Sequence, residues 1–191
     1  MRDLVNVVFD ASPLITACKF EAAGKLVIDH LLTGCELLIS PAVEEEVAIL
    51  GARYPDGVVA GERIADGRIP VVHVKTRRWE HHLGGYAMGH GERESIKLCG
   101  QEPDVEALVT DDHLAFIAAT RLGLKVWMLP DLVVGLVSRG LLRVEVARAI
   151  LEVIRPRYRA GVVEHSLEKL QEGEEDAKSC DSSQGRDFEV G

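Results

Sequence analysis

Residues 4–13 read LVNVVFDASP and carry two structural signals side by side. Residues 4–9 form a short apolar run rich in β-branched side chains, which is typical of a buried strand. Ser12 followed by Pro13 is a helix-start signal, because serine caps a helix N-terminus and proline fits the first helical position. The stretch therefore predicts a strand that ends at Asp10 and leads directly into a helix starting at Ser12.

The same strand-then-helix pattern recurs along the chain. Residues 36–39 predict a second strand, and Ser40-Pro41 repeats the helix-start signal before a helix over residues 42–50. Later segments continue the alternation, with strands predicted at 69–74, 105–110 and 124–129 and helices at 58–66, 92–100 and 113–122. This alternation predicts an α/β fold of three layers, in which helices flank a mostly parallel central sheet.

The length of 191 residues suits one ordinary domain. We expect a main domain over residues 1–140 and a C-terminal helical extension over residues 141–172 that packs on it. Residues 173–191 are polar and acidic, so they are predicted to be a disordered tail.

The formal net charge is −9, which disfavours a broadly basic surface that coats itself in nucleic acid. About half of that charge belongs to residues 168–191, where eight acidic residues face three basic ones. The rest of the chain is only mildly acidic, so its acidic residues can be concentrated in one place.

No apolar run approaches the roughly 20 residues that cross a bilayer, so no membrane association is expected. The cysteines are widely spaced and form no C-x-x-C pair (Cys18, Cys35, Cys99 and Cys180). Three of them lie in apolar surroundings, where buried reduced thiols are expected. These features predict a cytoplasmic location.

Acidic residues follow the predicted strands. Asp10 follows the first strand, Asp111 and Asp112 follow a later one, and Glu44, Glu45 and Glu46 lie in the first turns of a helix. Glu92 also stands at a helix start. Any one of them could simply be a turn residue or favour a helix dipole. Together, however, carboxylates at the same sheet edge indicate a site for Mg²⁺ or Mn²⁺, which prefer oxygen ligands.

Four motifs, in order, resemble those of PIN-domain nucleases. Residues 8–15, VFDASPLI, resemble the opening motif of the toxin-type, VapC-like branch, which reads D-[TA]-S-P-L-I. Residues 39–47, ISPAVEEEV, resemble the second motif, where a glutamate precedes an aliphatic residue. Residues 91–96, GERESI, resemble a G-E-x-E-A-I helix start with Ser95 in place of alanine, and residues 108–112, LVTDD, resemble the last acidic motif. The resemblance covers about residues 5–140.

The resemblance implies a metal-dependent endoribonuclease of the kind found as toxins in toxin–antitoxin pairs. Asp10, Glu46, Glu92 and Asp112 would ligate one or two Mg²⁺ or Mn²⁺ ions. Metal-bound water would attack an RNA phosphodiester and leave a 3′-hydroxyl and a 5′-phosphate. The resemblance also implies a small antitoxin protein and a homodimer as partners.

Some assignments stay open at this point. The three-glutamate run allows a one-residue slip, so Glu44 or Glu45 could replace Glu46 as the ligand. Asp111 is either an additional metal-site carboxylate or a turn residue. Ser12 is predicted to support Asp10 by a hydrogen bond.

Basic residues suggest where RNA could bind. The densest basic stretch is residues 75–82, which lies in a predicted loop before Glu92, and Lys75, Arg77 and Arg78 are its candidate phosphate contacts. A second basic cluster, residues 155–159, is interpreted as a connection between helices.

Two other functions remain to be weighed. A non-catalytic PIN fold could serve as a binding or regulatory protein, although acids stand at all four motif positions. A phosphatase of the haloacid-dehalogenase type also places an aspartate after its first strand. That chemistry needs a second acid two residues later, where this chain has Ser12.

Overall fold

The computed structural model describes residues 4–183. Its strands are β1 (Val5–Phe9), β2 (Glu21–Ala22), β3 (Lys25–Leu26), β4 (Cys35–Leu38), β5 (Ala107–Val109) and β6 (Val126–Trp127). Within the described residues, the central sheet has four strands in the order β4-β1-β5-β6, and every neighbouring pair is parallel. Strands β2 and β3 form a separate antiparallel pair. The predicted α/β fold with a parallel sheet is confirmed.

Helices connect the strands of the sheet and continue after β6. They are α1 (Ala11–Lys19), α2 (Val27–Leu31), α3 (Pro41–Glu44), α4 (Pro55–Ala65), α5 (Glu80–Gly84), α6 (His90–Gln101), α7 (His113–Arg121), α8 (Leu129–Ser138), α9 (Val144–Ile154) and α10 (Ala160–Ser183). A π-helical turn (Glu45–Ile49) and a 3₁₀ turn (Leu50–Arg53) follow α3, and a second 3₁₀ turn (Arg155–Arg157) separates α9 from α10.

The alternating side chains of β1 divide the hydrophobic core into two parts. Val7 and Phe9 are fully buried in a core with residues of α1, α8, α9 and α10. Val8 points the other way and is buried with residues of α6 and α7. Because successive side chains of a strand lie on opposite faces, this division shows that helices cover both faces of the sheet. The fold therefore has three layers.

The predicted strand over residues 69–74 is wrong. Only Val71 makes a strand-like pairing, a parallel bridge to Ile39 at the sheet edge. Pro70 has no N–H to donate, so it cannot take a full part in a strand ladder. Two hydrogen bonds join the segment to Ile39: the Val72 N–H donates to the Ile39 carbonyl, and the Pro70 carbonyl accepts from the Ile39 N–H.

The predicted start of α1 is also wrong. The cap is Asp10 rather than Ser12, and the helix begins at Ala11. Aspartate is as good a cap as serine, and here it directly follows the strand, so the chain turns into the helix earlier than expected. At α3 the prediction is confirmed, because the Ser40 hydroxyl accepts a hydrogen bond from the Val43 N–H (3.3 Å) and Pro41 is the first helical residue.

The predicted continuous helix over residues 42–50 is instead α3 followed by the π-helical and 3₁₀ turns. Helix α4 packs against these turns at Gly57, where a Cβ atom would lie 2.1 Å from the carbonyl oxygen of Gly51. The backbones meet there because neither glycine has a side chain. The wide turn carries Glu46, and such turns are frequent at functional sites.

The predicted loop over residues 75–91 contains the short helix α5, and α6 begins at His90, before the predicted start. Helix α10 continues to Ser183, so the structure is helical in part of the segment expected to be a disordered tail. Residues 174–178 (EEDAK) contain glutamate, alanine and lysine, which have high helix propensity, and they continue the helix that begins at Ala160. The remainder of that predicted tail, residues 184–191, lies outside the described residues.

Three cysteines, Cys18, Cys35 and Cys99, are buried and free, as predicted. Burial raises the pKa of each thiol to about 12. The side chain of Cys180 lies outside the described part. Of the helices between residues 4 and 183, none is long and apolar enough to cross a membrane.

Candidate active site

Parallel pairing of β1 with β5 brings the first and last acidic motifs together. Phe9 pairs with Val109 in the register of the two strands, so Asp10 and the segment that follows Val109 leave the sheet at the same edge. Ligands of open α/β sheets bind beyond this carboxyl edge. The structure therefore places Asp10 and Asp112 where the sequence pattern predicted.

Asp10 is held rigidly, with only 3% of its surface exposed. Its Oδ1 accepts a hydrogen bond from the Ala11 N–H (2.9 Å), and its Oδ2 accepts one from the Thr110 hydroxyl (2.8 Å). Ser12 was expected to support Asp10, but among residues 4–183 no hydrogen bond joins the two side chains. Ser12 instead lines the cavity beside Asp10.

Glu46 reaches the same place from the π-helical turn. Its carboxylate lies against Gly91, where a Cβ atom would be 3.2 Å from Glu46 Oε2. A side chain at position 91 would press on this carboxylate. Neither Glu44 nor Glu45 lines the cavity, so the structure places Glu46 there and not its two neighbours.

Glu92 and Asp112 both lie in the caps of helices that begin at this edge. The Glu92 carboxylate accepts a hydrogen bond from the Gly89 N–H, which caps α6. Asp112 Oδ1 accepts a hydrogen bond from the Ala115 N–H (2.8 Å), which caps α7. Each of these carboxylates therefore caps a helix and also lines the cavity. A role in helix capping does not prevent them from binding a metal ion.

These side chains line a cavity of about 220 Å³, which we call the acidic cavity. Its lining comprises Asp10, Ala11, Ser12, Glu46, Glu92, Asp111 and Asp112, and no basic side chain belongs to that set. Four separate segments of the chain supply its carboxylates.

The acidic cavity makes ionisation of its carboxyl groups unfavourable. Burial is the main cause that raises the pKa of Asp10, and the negative charges of Glu46 and Asp112 raise it further. Partial burial and repulsion from Glu92 raise the pKa of Glu46. The pKa of Glu92 is raised by burial and by Asp10 and Asp112. A bound cation would reverse these effects, because it favours the ionised forms.

The donor set fits a hard divalent cation. All of its donors are carboxylate oxygens, which Mg²⁺ and Mn²⁺ prefer. One of them, Asp111 Oδ1, is buried and has no hydrogen-bond partner within the described residues. Between residues 4 and 183, no three His, Cys, Asp or Glu side chains are already arranged as a metal site. The Glu92 and Asp112 carboxylates each accept a hydrogen bond from a backbone N–H at a helix start. Ionised carboxylates have further lone pairs, so these groups remain available as ligands.

Asp111 connects the sheet edge to the C-terminal helices. Its Oδ2 accepts a hydrogen bond from the Tyr158 hydroxyl (2.8 Å). Burial raises the pKa of Asp111. It is thus more than a turn residue, because it lines the acidic cavity and holds the connection between α9 and α10.

A larger cavity of about 590 Å³ adjoins the acidic cavity and shares Asp111 and Asp112 with it. Its opposite wall is the connection between α9 and α10, with Arg157, Tyr158 and Arg159. Residues 155–159 do connect two helices, as predicted, but they also lie beside the candidate active site.

The basic stretch 75–78 is not brought to either cavity. The side chain of Gln101, the last residue of α6, accepts hydrogen bonds from the Lys75 N–H (2.6 Å) and the Thr76 N–H (3.2 Å). Glu92 lies in the first turn of α6, so the two sites are separated by about 14 Å along the helix. Lys75, Arg77 and Arg78 are therefore held at the opposite end of α6 from the acidic cavity.

Sequence reasoning missed two contributors. Thr110 directly precedes Asp111 and Asp112, and its place at the strand end was the available signal for a partner of Asp10. Tyr158 stands between two arginines in the second basic cluster, and nothing in the local sequence indicated its contact with Asp111.

Comparison with known families gives one match, to a family model described as PIN domain, over residues 6–172. Comparisons with curated proteins and with solved structures gave no significant match. The matched range includes all four acidic motifs and continues through α9 into α10. It supports a nuclease-type function in general. The chain therefore belongs to the PIN-domain family.

Proposed function

We propose that the protein is a metal-dependent endoribonuclease that hydrolyses RNA phosphodiesters and acts as the toxin of a toxin–antitoxin pair. The observation that carries the catalytic part is the acidic cavity, where four segments distant in sequence bring carboxylates together and no basic side chain belongs to the lining that the structure describes. Such a cluster destabilises the chain unless a cation binds it. The loss of stability suggests that these carboxylates are held together for a function.

Asp10, Glu46, Glu92 and Asp112 would hold Mg²⁺ or Mn²⁺, with Asp111 beside them. When bound, the ion supplies an activated water and stabilises negative charge on the phosphoryl group, and the proposed products carry a 3′-hydroxyl and a 5′-phosphate. The chain supplies the geometry. Thr110 and the Ala11 N–H fix the orientation of the Asp10 carboxylate.

The biological part of the proposal includes a small antitoxin protein and a second copy of the chain as partners, in the cytoplasm. Exposed apolar side chains are consistent with protein partners. Four large ones follow Glu46 in the sequence, and each is between 48% and 66% exposed (Ile49, Leu50, Tyr54 and Val58). Exposed apolar side chains that form a patch commonly mark protein interfaces.

The decisive experiment is cleavage of single-stranded RNA and tRNA by the purified chain with Mg²⁺ or Mn²⁺. We expect Asp10→Asn to reduce the rate about a thousandfold, because asparagine keeps the helix cap but removes the ligand charge. Asp104→Asn, on an exposed residue outside the cavity, is the matched control and should retain the rate.

A purified chain that cuts neither substrate, and whose toxicity to a host is unchanged by Asp10→Asn, would contradict the catalytic proposal. If calorimetry then also detects no binding of divalent ions, the alternative of a non-catalytic binding or regulatory protein is favoured.

A further inference from the structure

The larger cavity has an apolar interior. Phe116, Met128 and Val162 line it together with the ring of Tyr158. The Tyr158 hydroxyl is engaged with Asp111, so the ring is fixed in place as part of the wall. The volume of about 590 Å³ is within the range of about 300–1,000 Å³ that is usual for sites of small organic ligands. An apolar wall of this kind suits the flat face of a nucleobase.

The rim of the larger cavity is cationic. Arg157 and Arg159 are both exposed, and neither makes a side-chain hydrogen bond or salt bridge with the part of the chain that the structure describes. Their neighbour Arg155 differs, because Glu152 and Glu164 bind it at 3.1 Å and 2.6 Å. The charge of Arg157 lowers the pKa of the nearby Asp111, but no carboxylate that the structure describes is hydrogen-bonded to either guanidinium group. Both groups can therefore bind an anionic ligand, and arginine binds phosphate through paired hydrogen bonds.

The two cavities adjoin each other, because Asp111 and Asp112 line both of them. A phosphate held at the acidic cavity would therefore have its neighbouring nucleotide at the entrance of the larger cavity. In a duplex the bases are stacked and paired, so only an unpaired nucleotide can turn its base into such a cavity.

We propose that the larger cavity binds one unpaired nucleotide adjacent to the scissile phosphate, with the base against the apolar wall and phosphates on Arg157 and Arg159. This inference rests on the proposed ribonuclease function. It assigns a role to the extension over residues 141–172, which supplies the cationic rim.

The test measures RNA binding without cleavage. Fluorescence anisotropy of a fluorescein-labelled, single-stranded oligoribonucleotide of mixed sequence is recorded in EDTA with the full chain. The Arg157→Ala/Arg159→Ala variant is compared with Arg77→Ala/Arg78→Ala, which removes the same charge from the exposed basic stretch. All four arginines are exposed, and circular dichroism verifies that both variants fold.

We expect the Arg157/Arg159 variant to weaken binding about tenfold or more, and to reduce the slope of log affinity against log salt by about 1.4, as for two lost phosphate contacts to a single strand. The Arg77/Arg78 variant should stay within about twofold of the unaltered chain. A duplex of the same sequence should bind more weakly than the single strand.

Three results would overturn the proposal: no RNA binding by the unaltered chain, equal losses in the two variants, or a duplex bound as tightly as the single strand. The measurement contains no divalent ion. Failure of the subsite is therefore distinguishable from failure of the proposed cleavage, which is assayed with metal.

Discussion

The acidic cavity and the larger cavity lie on either side of Asp111 and Asp112, and they differ in charge and in the origin of their residues. The acidic cavity is lined by carboxylates from the sheet edge and the helices that begin there. The larger cavity combines arginines with an apolar wall, and its arginines come from the connection between α9 and α10. The difference separates two tasks: groups suited to reaction chemistry are on one side, and groups suited to holding a ligand are on the other.

The largest effect expected from this division is on catalysis. Glu46→Gln should lower the cleavage rate by about a hundredfold or more while RNA binding in EDTA is unchanged, because the lost charge weakens metal binding and not the larger cavity. Glu45→Gln changes the adjacent exposed glutamate and should leave the rate unaltered. Single-turnover cleavage and calorimetry with Mn²⁺ measure the two quantities. Equal losses in the two variants would remove Glu46 from the metal site.

A smaller effect is expected at the boundary between the cavities. Tyr158→Phe removes the hydroxyl that donates to the Asp111 carboxylate, so the free energy of unfolding should fall by about 1–3 kcal/mol. This corresponds to a decrease in Tm of roughly 2–4 °C per kcal/mol, measurable by circular dichroism.

Tyr86→Phe is the control for Tyr158→Phe, because the Tyr86 hydroxyl accepts an exposed hydrogen bond from Arg121 (3.1 Å) and its loss should cost little. If the Tyr158→Phe and Tyr86→Phe variants are equally stable, the hydrogen bond from Tyr158 to Asp111 does not stabilise the contact between the sheet edge and the α9–α10 connection.

The smallest expected effect is on the stability of the folded chain, which the buried carboxylates of the acidic cavity lower. Because the pKa of Asp10 is raised, the folded state binds this proton more tightly than the unfolded state, and ionised Asp10 lowers stability at neutral pH. Asp10→Asn in EDTA should therefore raise the free energy of unfolding slightly, by less than the change expected for Tyr158→Phe. The gain is fully present above the raised pKa and disappears as the pH falls toward the ordinary aspartate value of about 3.9.

Denaturant unfolding at several pH values checks the gain from Asp10→Asn, with Asp104→Asn as the variant that should show no change. Adding Mn²⁺ should stabilise the unaltered chain and leave Asp10→Asn unaffected. A less stable Asp10→Asn at neutral pH in EDTA would contradict the expected destabilisation by ionised Asp10.

Local signals predicted the parts of the fold and site that depend on short stretches. The apolar run ending at Asp10 and the Ser40-Pro41 cap located β1 and α3. Acids at strand ends predicted Asp10 and Asp112, acids at helix starts together with the family resemblance predicted Glu46 and Glu92, and all four line one cavity. The placement of Asp10 and Asp112 follows from strand pairing, which brings the ends of parallel strands to one edge.

The remaining features depend on distances in space that the sequence does not reveal. The stretch 75–78 precedes Glu92 in sequence, but α6 separates the two sites by its own length. Conversely, Tyr158 is distant from Asp111 in sequence, but its hydroxyl donates a hydrogen bond to the Asp111 carboxylate. The cap at Asp10 was missed because two good capping residues stand close together and tertiary structure selects between them.

The burial of Cys18, Cys35 and Cys99 has a kinetic consequence. With pKa values raised to about 12, these thiols contain almost no thiolate at neutral pH, and their sulfur atoms are enclosed by the core. A thiol reagent can reach them only when the core opens. Their rate of alkylation therefore measures how often each part of the core opens, with Cys99 reporting on the α6–α7 face of the sheet and Cys18 and Cys35 on the opposite face.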